Sequence, residues 1–288
     1  MTNAPAMACR PQRGVALLVV LWACTLLAIL LGSYAALART EGLQARYQFS
    51  QARAHYAAEA GVMRAIYALQ DPSPATRWMP DGRDYTFTYE DARVTLRVVD
   101  ESGKVDINSA SPDVLGGLFR AAGVPDGQAS ELANRVVEWR SFGVLPGSQT
   151  GAYGMAGRDY KPRHGPFASV EELQMVLGME PAIYQKIASQ VTLWSGRNAP
   201  EPTFAPPLAL MAVPGMTPAQ AQTLLAARAQ QGVNATLGGG RGVTHSIYSE
   251  ATLPDGTRSI LRATVRLQGA RSGAQPYAVL RWREGEGE

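Results

Sequence analysis

Residues 15–38, VALLVVLWACTLLAILLGSYAALA, form an apolar run without a single charge. A helix over this stretch rises about 36 Å, enough to cross a hydrocarbon core of about 30 Å. Arg10 and Arg13 precede it and favour a cytoplasmic N-terminus, so the rest of the chain is expected across the membrane. At 288 residues the chain has room for one large domain or two small ones. Its cysteines are Cys9 and Cys24, before and within the apolar run. The exported part therefore has no disulfide and must be held by packing. The net charge of +3 is small for this length and argues neither for nor against an acidic partner.

Three readings compete for the N-terminus. One is a plain signal anchor. Another is a secretory signal cleaved after Ala36-Leu37-Ala38, a small-x-small pattern. The run is longer than the 7–15 residues usual for such a signal. The third is a prepilin-type leader, a basic segment that ends in glycine and is cut before the apolar run. Arg13-Gly14-Val15-Ala16-Leu17-Leu18 has that form, with Gly14 and Val15 as the processing junction.

The next segment of the chain favours the third reading. Residues 39–70 contain no proline and are rich in Ala, Gln, Arg and Leu, which are good helix formers. Leu43, Tyr47, Ala54, Ala58, Val62, Ile66 and Leu69 fall near one face at helical spacing. The helix is expected to continue out of the membrane until Asp71-Pro72-Ser73-Pro74 stops it. A plain anchor has no need of that continuation. A pilin does, with the outer half of the helix covered by its own sheet.

The start QRGVALLVVLW, the helix end AEAGVMRAIYAL, and the later VDINSAS and YKPRHGPFASVEEL together resemble the K-class minor pseudopilins of type II secretion systems. These segments touch most of the chain, and their order is the specific feature. Most pilins carry glutamate at the fifth mature residue, which pairs with the N-terminal amine of a neighbouring subunit. Counting from Val15, the fifth residue here is Val19, and the K class likewise lacks the glutamate. A lone charge in the bilayer costs at least about 2.5 kcal/mol, which is why such pairing matters. The resemblance implies a subunit at the tip of the pseudopilus. Its expected partners are the I- and J-class minor pseudopilins, the prepilin peptidase and the inner membrane, with its bulk in the periplasm.

Beyond the helix, Tyr85, Phe87 and Tyr89 alternate with polar residues, as do Val94, Leu96 and Val98 after a turn at Glu90-Asp91-Ala92. Ile247 to Ala251 and Leu261, Ala263, Val265 and Leu267 flank the turn Pro254-Asp255-Gly256, and a last strand covers roughly Tyr277 to Trp282. Strands at both ends with helices between suggest one sheet interrupted by an insertion. Within the insertion Leu118, Leu173 and Leu210 each stand five residues before a glycine: Gly123, Gly178 and Gly215. Val124, Met179 and Met216 follow those glycines, and a helical stretch follows each in turn. This spacing predicts three copies of helix, glycine turn and helix, with the glycines free to adopt the positive φ a tight turn requires.

These units resemble helix-hairpin-helix or SAM-like modules. Phosphate recognition needs backbone amides at a helix N-terminus with basic side chains close by. The first two turns instead carry Asp126 and Glu180, so no nucleic acid is expected. The predicted fold is α+β: a type IV pilin-like fold, with a long N-terminal helix packed on an antiparallel sheet and a large inserted all-α domain. Its expected parts are a leader at 1–14, the helix at 15–70 with its membrane part at 15–38, sheet at 71–105, the helical insertion at 106–235, and sheet again at 236–288. The runners-up are a membrane-tethered helix-hairpin-helix DNA receptor and a minor pilin of a related fibre system.

The K-class resemblance also implies a calcium site after the first helical unit. Calcium needs six to eight oxygen ligands. Here Arg140, Ser141, Phe142, Tyr153 and Gly154 stand where the family tends to have acids, leaving Glu138 and Asp159 as weak candidates and the acidic site degraded. His55, His164 and His245 are far apart, and the sequence shows no nucleophile elbow, P-loop or zinc motif. The chain reads as a non-enzyme.

Overall fold

The computed structural model describes residues 13–73, 75–143, 150–230, 243–268 and 275–285. The chain divides into two compact units, residues 1–53 and 54–288.

The first unit, as far as it is described, is the helix α1, which spans Arg13–Leu69 and continues into the second unit. Residues 15–38 are exposed throughout, as an apolar helix awaiting lipid or partners would be. Leu43 and Tyr47 are exposed as well, each at 66 %. This corrects the expectation of a face covered from Leu43 onward: burial on α1 begins at Ala54. Ala54, Ala58, Val62, Ile66 and Leu69 are buried as their spacing predicts.

The second unit holds two hydrophobic clusters. In one, the end of α1 packs on a five-stranded antiparallel sheet. Its strands are β1 (Asp81–Tyr89), β2 (Ala92–Asp100), β5 (Thr244–Thr252), β6 (Arg258–Leu267) and β7 (Tyr277–Glu284), in the order β1-β2-β5-β6-β7. The alternation seen in the sequence sorts the faces. Val94, Leu96 and Val98 of β2, Ile247 and Ala251 of β5, and Leu261, Ala263 and Val265 of β6 meet the helix. Arg93, Arg97, Arg262 and Arg266 fall on the alternate positions, as a half-buried antiparallel sheet requires.

Two close approaches shape this packing. Ser249 of β5 is fully buried, and its hydroxyl donates to the Ala58 carbonyl at 2.7 Å. A Cβ at Gly61 would lie 2.3 Å from Ser249 Oγ and 2.9 Å from Val94 Cγ1. Glycine inside a helix is disfavoured by about 1 kcal/mol relative to alanine, so this residue is there to let the helix approach the sheet.

β2 and β5 are paired neighbours, with Asp100 opposite His245. Everything between them is therefore a grown hairpin loop whose two ends leave the sheet one strand spacing apart. That topology lets a large helical region be inserted without breaking the ladder. The second cluster fills this region, starting at Val105. Two short parallel strands, β3 (Val105–Asp106) and β4 (Val191–Thr192), tie its start to its middle. Its helices are α2 (Pro112–Ala121), α3 (Asp126–Arg140), α4 (Thr150–Met155), α5 (Pro181–Ile187), α6 (Pro207–Met211) and α7 (Pro218–Gln230), with a 3-10 helix at Val170–Met175. The expected boundary at 235/236 lies outside the described residues, as do residues 1–12 of the leader.

Local sequence explains the helix ends. Ser111 caps α2, accepting from Val114 N–H at 3.3 Å, with Pro112 at the first helical position. Thr217 and Gln220 cap α7 reciprocally: Gln220 N–H reaches Thr217 Oγ1 at 3.2 Å and Thr217 N–H reaches Gln220 Oε1 at 2.9 Å.

Candidate functional site

The two later motifs, VDINSAS and the PFASVEEL part of YKPRHGPFASVEEL, meet in space. Asp106 is buried and its carboxylate is fully engaged. Oδ1 accepts from Asn108 N–H at 2.9 Å and Ser109 N–H at 3.2 Å, and Oδ2 accepts from Gly196 N–H at 2.7 Å. The amide of Asn108 pairs with the backbone of Phe167 in both directions, accepting at 2.8 Å and donating at 3.1 Å. Residues 59 apart in sequence are thus held by an imitation of a strand ladder.

Arg140 braces the same loop, donating to the carbonyls of Ile107 at 2.8 Å and Ala110 at 2.5 Å. Burial lowers its pKa, and the nearby Asp106 charge works against that fall. Trp139 beside it is buried against Phe167 and Tyr153, and its indole N–H donates to Glu172 Oε1 at 2.9 Å. Glu172 also accepts from Ala168 N–H at 2.8 Å and meets Arg163 at 3.2 Å. Burial alone would raise the Glu172 carboxyl. The hydrogen bonds from Ala168 and Trp139 and the Arg163 charge outweigh it and hold the pKa below the usual carboxylate range.

The glycine turns form a second set. Gly123, Gly178 and Gly215 adopt φ of +97°, +89° and +79°, and each lies between helical segments. At the first, Val124 N–H returns to Phe119 O and Gly123 N–H to Arg120 O, a doubly bonded glycine C-cap. Leu118, Leu173 and Leu210 are all buried beneath the turns. The first two units cap each other. Lys186, on α5 of the second, donates to Ala122 O at 2.9 Å, beside Gly123. Arg135, on α3 of the first, donates to Leu177 O at 3.0 Å, beside Gly178. In the third unit Arg228 donates to Ala205 O at 2.7 Å. Ala122 is the C-cap of α2, so the Lys186 ammonium also meets the negative end of that helix's dipole.

With this geometry in view, residues 92–196 match the family model described as type II secretion system (T2SS), protein K. This chain resembles type II secretion system protein K. The match runs from β2 through β4, so it contains the Asp106–Asn108–Phe167 clasp and the first two glycine turns. It is the K-class resemblance that the motifs predict. Over 85 % of its length the chain also matches the whole of a chain from a solved structure, at 15 % identity and a TM-score of 0.59. That structure is the crystal structure of the GspK-GspI-GspJ complex from the type 2 secretion system of enterotoxigenic Escherichia coli. At that identity the likeness establishes the fold: a long N-terminal helix and an antiparallel sheet with a helical part. A search of the curated proteins finds no match.

The residues singled out from the sequence as K-class features fall at separate places. Gly14 and Val15 lie in the first turn of α1, and Val15 and Val19 are exposed at 64 % and 59 %. Among the described residues, α1 is the one helix long and apolar enough to cross a membrane. Glu138 is buried near Tyr153, whereas Asp159 is exposed. Among the described residues no three His, Cys, Asp or Glu side chains gather as a metal cluster. The undescribed stretch 144–149 reads VLPGSQ and contains no acid.

Tyr153 is 1 % exposed, and its hydroxyl accepts from Leu177 N–H at 3.1 Å, so it serves the core. Burial raises its pKa. In the sequence, Asp106, Asn108 and Glu172 are marked only by their place inside the two motifs.

Proposed function

We propose that this protein is a minor pseudopilin of the K class, seated at the tip of a type II secretion pseudopilus in the inner membrane. There it starts assembly and supports export of folded proteins across the outer membrane. The observation that carries the proposal is the protein K match across residues 92–196, on a chain that begins with a membrane-length helix. The leader is removed by the prepilin peptidase after Gly14, and the mature chain starts at Val15.

The tip position follows from Val19. A pilin's glutamate neutralises the amine of the subunit above it. A chain with valine there gains nothing from a subunit above, while its own amine can still be met by the glutamate of a subunit below. Lodging it first in the fibre also frees the helical insertion from clashes along a shaft. The insertion is a structural, protein-facing module of helix-hairpin-helix or SAM-like type. Lys186 and Arg135, the basic side chains beside its first two glycine turns, are engaged with backbone carbonyls, which supports that reading over a phosphate clamp.

The test is to mix the chain lacking residues 1–38 with the I- and J-class minor pseudopilins of the same system. A ternary complex on gel filtration is expected. Separate elution of all three at micromolar concentrations would overturn the assignment. Mass spectrometry of the assembled protein should find Val15 at the N-terminus, and an intact Met1 or a start at Arg39 would refute the processing step.

A further inference from the structure

The helical insertion and the sheet do not share a core. Every member of the insertion's hydrophobic cluster, partly buried residues included, lies within 105–225. Every member of the sheet's cluster lies within 54–98 or 247–282. The junction between them is polar instead. Asp100, Glu101, Ser102, Thr244 and His245 are buried where β2 and β5 open into the insertion. Parts that meet through polar groups, without a common apolar core, are expected to move against each other.

One contact between the two parts is a neck. The 3-10 helix Glu101–Gly103 packs against β5 on the sheet side. On the insertion side Glu201 N–H donates to Ser102 O at 2.8 Å, and a Cβ at Gly103 would lie 2.3 Å from the Phe204 carbonyl carbon. This single turn touches both parts and is placed to act as a pivot. A second contact is an ionic clamp. Arg281 and Arg283 of β7 both reach Glu171 Oε1, at 3.4 and 3.7 Å, on the 3-10 helix Val170–Met175 of the insertion. Arg283 stands opposite Arg262 and Arg281 opposite Thr264, so the clamp lies on the face of the sheet turned away from α1. Burial alone would raise the Glu171 carboxyl. Its own backbone N–H, the Ser169 hydroxyl and the two arginines outweigh it and hold the pKa below the usual range, so the clamp is charged at neutral pH. The three side chains are 34–43 % exposed, which leaves the clamp open to water and salt.

We propose that the insertion is a hinged arm, which swings on the Glu101–Gly103 neck and is held against the outer face of the sheet by the clamp of Arg281 and Arg283 on Glu171. Few residues at the ends of elements suffice for such a hinge. The clamp has the strength of a latch and not of a lock. An exposed ion pair changes an equilibrium by up to about fivefold, so two of them bias the arm without fixing it. Salt releases the latch, because at 1 M the Debye length falls to about 3 Å, shorter than either pair. The device is independent of the pseudopilin assignment.

The test is pulsed electron paramagnetic resonance on the full chain in neutral detergent, with spin labels at Thr88→Cys on β1 and Gln128→Cys on α3. Both positions are exposed, and Cys9→Ser with Cys24→Ser removes the native thiols. At low salt the parent should give one main distance. Glu171→Gln should populate a second distance, its ratio to the first rising roughly threefold or more. Arg281→Gln/Arg283→Gln should populate the same second distance, and adding Glu171→Gln to it should change nothing further. Salt at 1 M should raise the second distance in the parent and leave the variants as they are. The salt series on the parent decides alone if a variant loses its near-ultraviolet circular dichroism. One unchanged distance in Glu171→Gln and in the parent at 1 M salt would overturn the proposal. So would a second distance equally populated in parent and variants, since the clamp would then not govern the arm.

Discussion

Replacing Gly61 by alanine sets two effects of opposite sign against each other. On helix propensity alone the change is stabilising, by about 1 kcal/mol. The tertiary fit says otherwise. The new Cβ would lie 2.3 Å from Ser249 Oγ, 2.9 Å from Val94 Cγ1 and 3.1 Å from Leu96 Cδ2, all on buried side chains of β2 and β5. Relief requires the Ser249 hydroxyl to leave its bond to Ala58 O, or α1 to lift from the sheet. Overpacking of this kind costs about 1–3 kcal/mol, and a lost buried hydrogen bond costs about 1 kcal/mol more. The net expectation is destabilisation of roughly 1–3 kcal/mol. For a unit of this size each kcal/mol moves the melting temperature by about 2–4 °C, so Tm should fall by roughly 2–12 °C. Thermal melts of the full chain in neutral detergent, followed by near-ultraviolet circular dichroism, would show it. Adding Ser249→Ala to Gly61→Ala removes the closest contact and should recover part of the loss. A Gly61→Ala protein that melts at or above the parent would show that propensity governs this position and that the close approach is not required.

Three further outcomes follow from the helical insertion. The Glu172 pKa is depressed in the folded state, so its stabilisation is present above the unfolded carboxyl pKa and is lost as pH falls through the folded value. Glu172→Gln should therefore lower Tm at neutral pH, and the gap from the parent should close in the acid limb; a gap constant over pH would refute the linkage. Gly178→Ala should destabilise more than Gly215→Ala. Both impose a positive φ on alanine, costing about 1–2 kcal/mol, but only at Gly178 does the new Cβ strike a neighbour, Arg135 Nη1 at 2.8 Å. Equal Tm shifts would contradict the contact. Calcium should change the melting temperature little, because Arg140 and Tyr153 occupy positions where the family tends to have acids. Saturation at 100 times a dissociation constant would add about 2.7 kcal/mol, so a clear rise in Tm would reveal a site built from other oxygens.

Some of this architecture was legible from local pattern alone. The charge-free run 15–38 required a membrane-length helix because its property is a sum over neighbours. The alternation at Tyr85–Phe87 and at Leu261–Ala263–Val265 marked strands and their faces because strand geometry repeats every two residues. The glycines at 123, 178 and 215 announced positive-φ turns because only the backbone at that residue is involved. What depends on residues distant in sequence meeting was decided by the tertiary structure. Spacing gave Leu43 and Ala54 the same face of α1, yet only Ala54 is covered, because coverage depends on where the sheet lies. The strands at the two ends became one sheet through the β2–β5 register, which turned the insertion into a loop between paired neighbours. Asn108 found Phe167, and Lys186 and Arg135 found the turns of each other's units, through pairings 59, 64 and 42 residues apart that no periodicity encodes. A side chain's period along its own element reports which way it faces, and only the packing of the elements determines what it faces.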